Sequence, residues 1–153
     1  MRVRKAEPAT ARRQASWIVA IEPWRSLGYQ AGPLGRWMAR SARAGRALLA
    51  VDAREPVAIV IVQPDVLLGD FIALLAVRRE AAGRGIGRAL VASVARRTFA
   101  GRRWLYASSD ASNRPAAAFY RKLGFSRVAR LPDLVRPGRT EILWRLPRPP
   151  ASS

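Results

Sequence analysis

Two short stretches of the 153-residue sequence hold the residue types that chemistry needs. The first, Gly83-Arg84-Gly85-Ile86-Gly87, follows an apolar run and opens a helical pattern. Glycines this close let the backbone turn sharply and aim successive N–H groups at an anion, and a helix start adds its positive end. A pyrophosphate suits such a turn; a tight strand-to-helix connection with no ligand is the plainer alternative. No Lys-Ser/Thr pair follows, which excludes the Walker loop, and the third glycine comes one residue too early for the dinucleotide fingerprint. The second stretch, Asn113-Arg114-Pro115 through Phe119-Tyr120 to Leu123-Gly124-Phe125, reads as a short helix entered by Asn-Pro and left by Gly. Phe119 and Leu123, four apart, should pack inward; Tyr120 is rotated by about 100° from Phe119 and can face a cleft.

Composition limits what these residues can do. The sequence has neither Cys nor His. Disulfides, thiol nucleophiles, imidazole bases and Cys/His zinc sites are therefore excluded. Proton transfer must rest on Asp, Glu, Tyr, Lys, water or the substrate. The formal net charge is +18, and all but two of the 28 basic residues are arginine. That charge suits a polyanionic partner such as nucleic acid or lipid. An Arg-over-Lys, Ala-heavy composition also suits a GC-rich coding sequence, and the arginines are scattered rather than gathered in one tract.

The elements that must position these stretches follow from period and punctuation. Residues 2–6 suit a first strand, 11–21 a helix stopped or kinked by Pro23, and Gly32-Pro33 to Ala44 a second helix closed by Gly45. Strands are expected over Ala47–Val51, Val57–Val62 and Val66–Val77, with a break at Gln63-Pro64-Asp65 and a bulge near Gly69-Asp70. Gly85–Phe99 is a helix, Trp104–Ser108 a strand, Pro115–Leu123 a helix, and Phe125–Leu131 and Thr140–Leu146 strands. Residues 1–146 are expected to form a single domain and 147–153 a flexible tail. The apolar runs are far shorter than the roughly 20 residues of a membrane span, and no apolar segment follows the basic start, so a cytoplasmic protein is the default.

The run Phe71–Val77, the glycine turn and the Asn…Phe-Tyr…Leu-Gly-Phe segment together resemble the two central motifs of the GCN5-related N-acetyltransferases, the GNAT family. Order and spacing agree over residues 71–125, and the outer elements agree more loosely. The resemblance implies an α/β (α+β) fold: a mixed, mostly antiparallel central sheet of about seven strands, helices on both faces, and splayed fourth and fifth strands that admit acetyl-CoA. It implies that the backbone of Leu75, Ala76 and Val77 bonds the pantetheine arm. The N–H groups of Ala82, Gly83, Arg84, Gly85, Ile86, Gly87 and Arg88 would hold the pyrophosphate, and Asn113 would touch the arm or an ordered water. Tyr120 would protonate the departing thiolate. No metal is called for.

Each role has a plainer counterpart. Asn113 can be only a helix cap, Tyr120 a core aromatic, and Arg84 and Arg88 solvated charges. The sequence departs from the family pattern at two points. Ala82 stands where Gln or Arg is usual, and Ser108 stands where some ribosomal-protein acetyltransferases carry Glu. The base is therefore either elsewhere in the chain or a water. Glu22, in Glu22-Pro23-Trp24, is the first candidate for that base or for an ammonium anchor, and a surface ion pair is its alternative. Asp110 is the second candidate. Trp24, Tyr29 and Trp37 can wall an acceptor pocket or belong to the core.

The expected activity is acetyl transfer from acetyl-CoA to a primary amine, on a small molecule or a peptide or protein N-terminus, by direct attack in a ternary complex. The rival is an inactive acyl-CoA-binding or nucleic-acid-binding module using the basic surface. The strong positive charge disfavours polycationic acceptors. A homodimer is a possible partner state; nucleic acid is not favoured and no membrane partner is expected.

Overall fold

The computed structural model describes residues 1–151. Among them, seven strands form one sheet in the order β1-β2-β3-β4-β5-β7-β6. The strands are β1 (Arg2–Lys5), β2 (Ala47–Asp52), β3 (Glu55–Val66), β4 (Gly69–Val77), β5 (Trp104–Asp110), β6 (Ser126–Pro132) and β7 (Thr140–Pro147). The helices are α1 (Pro8–Arg13), α2 (Ala15–Ile18), α3 (Ala31–Arg43), α4 (Ile86–Thr98) and α5 (Arg114–Lys122). The β1–β2, β2–β3, β5–β7 and β6–β7 pairs are antiparallel, and β4–β5 is parallel. The expected mixed, mostly antiparallel sheet is thus present. The parallel ladder joins Gly69–Phe71 to Trp104–Tyr106, a short part of two longer strands.

The chain groups into two compact units. One comprises Met1–Val62 and Leu74–Val94. Its core gathers Ala11, Ala15 and Ile18 from the first two helices, Leu34, Met38 and Ala42 from α3, and Leu49, Ile59, Ile61, Leu74 and Ala76 from the strands. On α3 these residues recur at the three-to-four spacing of an amphipathic helix. On β4, Leu74 and Ala76 are buried while Leu75 and Val77 are not, the alternation of a strand with one face in the core. Arg78 anchors the end of that strand. Its N–H donates to the Val57 carbonyl at 2.8 Å, its Nε to the Pro56 carbonyl at 3.0 Å, and its guanidinium lies 5.0 Å from the Trp17 ring centre.

The second unit comprises Gln63–Ala73 and the described residues from Ala95 onward. Leu105, Tyr106, Ala107, Tyr120, Phe125, Ile142 and Trp144 are buried there. Asp70 of β4 accepts a 2.7 Å bond from the buried Thr98 hydroxyl. The Tyr106 hydroxyl donates to the Leu67 carbonyl at 3.1 Å.

Three expectations are corrected. The helix placed at 11–21 starts earlier, at Pro8, and is two short pieces that meet at Gln14. Proline in the first turn loses no intrahelical bond, which favours the earlier start. Gln14 is buried and turned to local partners: its amide donates to the Thr10 carbonyl, and its oxygen accepts from Trp17 Nε1. The break placed at Gln63-Pro64-Asp65 falls later, because β3 runs through Pro64 to Val66 and turns at Leu67-Leu68. Asp65, Leu67 and Leu68 all take positive φ, so the turn is made there without a glycine. On α5 the buried residue is Tyr120, whereas Phe119 and Leu123 are half-buried.

At the carboxyl end, β7 continues to Pro147 and the Arg148 N–H donates to the Arg103 carbonyl at 2.9 Å. Ser152 and Ser153, the last residues of the expected tail, lie outside the described residues. No helix among the described residues is long and apolar enough to cross a membrane.

Candidate active site

In the first unit the glycine turn is open. Gly83 and Gly85 have φ of +75° and +77°, and a Cβ at either would meet nothing within 4 Å. Glycine is needed for the left-handed backbone rather than for lack of room. A short 3-10 turn (Arg79–Ala81) precedes them. The Ala89 N–H closes the first turn of α4 on the Gly85 carbonyl at 3.0 Å. The amides of Ile86, Gly87 and Arg88 precede that bond and have no carbonyl one turn back, which leaves donors at a positive helix end. Ile86 is buried and pins the turn, while Ala82 and Gly83–Gly85 are exposed. These residues fit a pyrophosphate: clustered backbone donors, a helix start, and no side chain in the way.

Arg84 has a defined partner, donating from Nη2 to Asp52 at 2.6 Å. That bond holds the Asp52 carboxyl below the usual carboxylate range. Arg88 is exposed. Glu22 accepts from Arg25 Nε at 2.9 Å on an exposed surface, and its bond to Ser26, then that to Arg25, lowers its pKa. A lowered carboxylate holds charge well and takes up a proton poorly. Trp24 and Trp37 pack, partly buried, against the first unit's core, whereas Tyr29 is exposed.

In the second unit, Asn113 caps α5: its Oδ1 accepts from the Ala116 N–H at 3.1 Å. Tyr120, 7% exposed, sits in an aromatic cluster, edge-on to Phe119 and Phe125 at 5.2 Å and stacked on Trp144 at 6.2 Å. Trp144 in turn donates from Nε1 to the Ser109 hydroxyl at 2.9 Å. Burial, and then the Glu141 carboxyl, push the Tyr120 pKa well above that of a free phenol. The hydroxyl therefore stays protonated at any physiological pH.

Asp110 is committed to its surroundings. It accepts from the Ser112 N–H at 2.9 Å and hydroxyl at 2.6 Å, and from Arg139 Nε at 2.8 Å. The Ser112 hydroxyl bond is the main cause of its lowered pKa, with Arg139 adding to it. Glu141, which the sequence reading passed over, behaves differently. It stands opposite Asp110 across the β5–β7 ladder, is 8% exposed, and has its pKa raised by burial. Its one signal in the sequence is an acid at the head of the apolar run Ile142-Leu143-Trp144. No group of acids among the described residues is arranged to hold a metal ion.

The family model for the acetyltransferase (GNAT) domain matches residues 43–127, more than half the chain. The chain belongs to the GNAT acetyltransferase family. The match takes in both the glycine turn and the Asn113–Tyr120 helix. Solved structures agree in fold. A GNAT-family acetyltransferase from Bacillus cereus superposes with a TM-score of 0.80 at 14% identity, covering 97% of this chain and 98% of that one. An aminoglycoside 6′-N-acetyltransferase complexed with coenzyme A gives 0.80 at 16% identity over the whole of both chains. A ribosomal-protein-alanine N-acetyltransferase from Brucella melitensis gives 0.77 at 19% identity over 96% and 99%. At these identities the likeness speaks for the fold alone. Comparison with curated protein sequences finds no match.

Proposed function

We propose that this GNAT protein transfers an acetyl group from acetyl-CoA to a primary amine by direct attack in a ternary complex. The observation that carries the proposal is the open turn at Gly83–Gly87, with its two left-handed glycines, its unclaimed amides and α4 behind it. The N–H groups of Ala82–Arg88 would take the pyrophosphate, and the backbone of Leu75–Val77, which the buried side chains of Leu74 and Ala76 fix to the core, would bond the pantetheine arm. Asn113 would add a contact to that arm beyond its capping bond. When bound, acetyl-CoA supplies a thioester carbonyl already reactive toward an amine. The enzyme then needs to position the two reactants, donate to the developing oxyanion and manage protons. Tyr120, held protonated by burial, would donate to the departing thiolate.

The acceptor is a primary amine of low positive charge, with peptide N-termini preferred to polycations, since a +18 protein repels the latter. Two structural neighbours act, by their names, on an aminoglycoside and on a ribosomal-protein alanine, and both are primary amines. Glu22 stays ionised, so of its two expected roles the ammonium anchor fits its geometry, with Arg25 as the present partner.

The test is binding followed by turnover. Calorimetry should show acetyl-CoA binding in the micromolar range, weakened in Gly85→Ala. Thiol release should follow on addition of an alanine-initiated peptide. Because the protein has no Cys, a thiol reagent reports only on CoA. Absence of acetyl-CoA binding would overturn the reading.

A further inference from the structure

The hairpin from β3 to β4 turns on Leu67 and Leu68, which are 66% and 76% exposed. Both take positive φ, 48° and 64°, in a two-residue turn of the kind that Asn-Gly makes most readily. Leucine at these positions carries left-handed backbone strain and leaves two large apolar groups in water. Neither feature favours the hairpin. The turn is nonetheless fixed in place: the Tyr106 hydroxyl donates to the Leu67 carbonyl, and Asp65 pairs with Arg102.

Those bonds, with Gly69 paired against Trp104, set the two leucines beside Arg102, Arg103 and Trp104 where β5 begins. A cleft of about 290 Å³ opens there, lined by Arg103, Trp104, Pro147, Arg148 and Pro149. No acid lines it. The Arg148 N–H is tied to the Arg103 carbonyl at 2.9 Å, and the Arg145 guanidinium lies 3.8 Å from the Trp104 ring centre. Asp65 neutralises Arg102, whereas among the described residues Arg103, Arg145 and Arg148 pair with no carboxylate.

We propose that this end of the second unit docks on an anionic phospholipid surface. The Leu67-Leu68 tip enters the boundary between headgroups and acyl chains, and the arginines of the cleft take lipid phosphate. Apolar side chains to bury, an indole at the boundary and arginines for phosphate are what an interfacial anchor needs. A nucleic acid would engage the arginines but gains nothing from the leucines, and a second copy of a +18 chain is repelled. The expectation of no membrane partner rested on the shortness of the apolar runs. A surface anchor needs no run, only apolar side chains displayed on one side. The inference goes beyond acetyl transfer and does not depend on it.

The experiment is vesicle flotation of the full chain at about 0.15 M salt, with phosphatidylcholine alone or with about 30% phosphatidylglycerol added. Wild type should float with the anionic vesicles and not with the neutral ones. Leu67→Asn/Leu68→Gly installs the residues this turn prefers, so it should melt no lower than wild type. Its partition onto anionic vesicles should still fall about tenfold or more, through loss of inserted apolar area. Arg103→Glu/Arg148→Glu should fall at least as far. Arg127→Glu/Arg130→Glu makes the same change in net charge at exposed positions of β6 and should stay within about threefold of wild type. A wild type that binds duplex DNA but not anionic vesicles assigns the arginines to nucleic acid and overturns the inference. So does a Leu67→Asn/Leu68→Gly protein that binds vesicles as tightly as wild type, or a β6 variant that loses as much as the cleft variant, since binding then follows net charge alone. Acetyl-CoA takes no part in the readout, so each of these results leaves the acetyl-transfer reading standing.

Discussion

Burial acts on Tyr120 and Glu141 in the same electrostatic direction, raising both, with opposite chemical results. A raised phenol keeps its proton and can offer a hydrogen bond at neutral pH, although it is a weaker acid than a free phenol; a raised carboxyl becomes a better proton acceptor. Tyr120→Phe keeps the aromatic stack and removes the donor, so kcat should fall about 10²-fold while calorimetry shows acetyl-CoA binding retained. Wild type should show no descending limb assignable to Tyr120 below about pH 10, the ordinary phenol value. Glu141 also carries a stability signature. Its folded pKa lies above the unfolded value of 4.5, so the folded chain holds that proton longer. The associated stability is present in acid and is lost as pH rises from 4.5 through the folded value. Glu141→Gln should therefore melt higher than wild type at neutral pH, with the gap closing toward about pH 4. Scanning calorimetry of both proteins across that range measures the difference. A wild type that melts higher at pH 7 would contradict it.

At the scale of elements, glycines mark two demands of different kind. At Gly83 and Gly85 the space is open and the backbone is left-handed, so Ala there should cost about 1–2 kcal/mol from conformation alone. At Gly69 a Cβ would overlap the Trp104 carbonyl where β4 and β5 pair, so Gly69→Ala should cost more than either turn substitution. Denaturant unfolding of the three variants gives that ranking directly. Asn113→Ala removes the α5 cap and should cost about 1 kcal/mol. These local features were legible in the sequence because Asn-Pro entry, Gly exit and the three-glycine turn are decided within a few residues. What was not legible depends on partners distant in the chain. Pro64 reads as a break, yet β3 continues through it into the Leu67-Leu68 turn. Phe119 and Tyr120 are adjacent on α5, and helical period cannot say which meets Trp144. Glu141 becomes conspicuous only once β7 lies beside β5 and sets it across from Asp110 and next to Ser108. Glu22, in contrast, turned out to have the plain partner that a neighbouring arginine offers.

For the molecule as a whole, ten acidic residues face 28 basic ones, so most of the positive charge has no acid to pair with. The ion pairs Arg25–Glu22, Arg84–Asp52, Arg102–Asp65 and Arg139–Asp110 use several of those few acids. An uncompensated field of this sign draws in a phosphate-bearing thioester and is screened by salt. KM for acetyl-CoA should rise several-fold between about 0.05 and 0.5 M salt, with kcat nearly unchanged. A basic-surface binding module without catalysis would instead show duplex-DNA binding with a steep salt slope and no thiol release. The measurement that separates these most directly is CoA thiol release by the wild-type protein with acetyl-CoA and an alanine-initiated peptide. Amine-dependent release, with the acetylated peptide detected by mass, is the predicted result. Acetyl-CoA that binds and is never consumed, whatever the amine, would contradict the account.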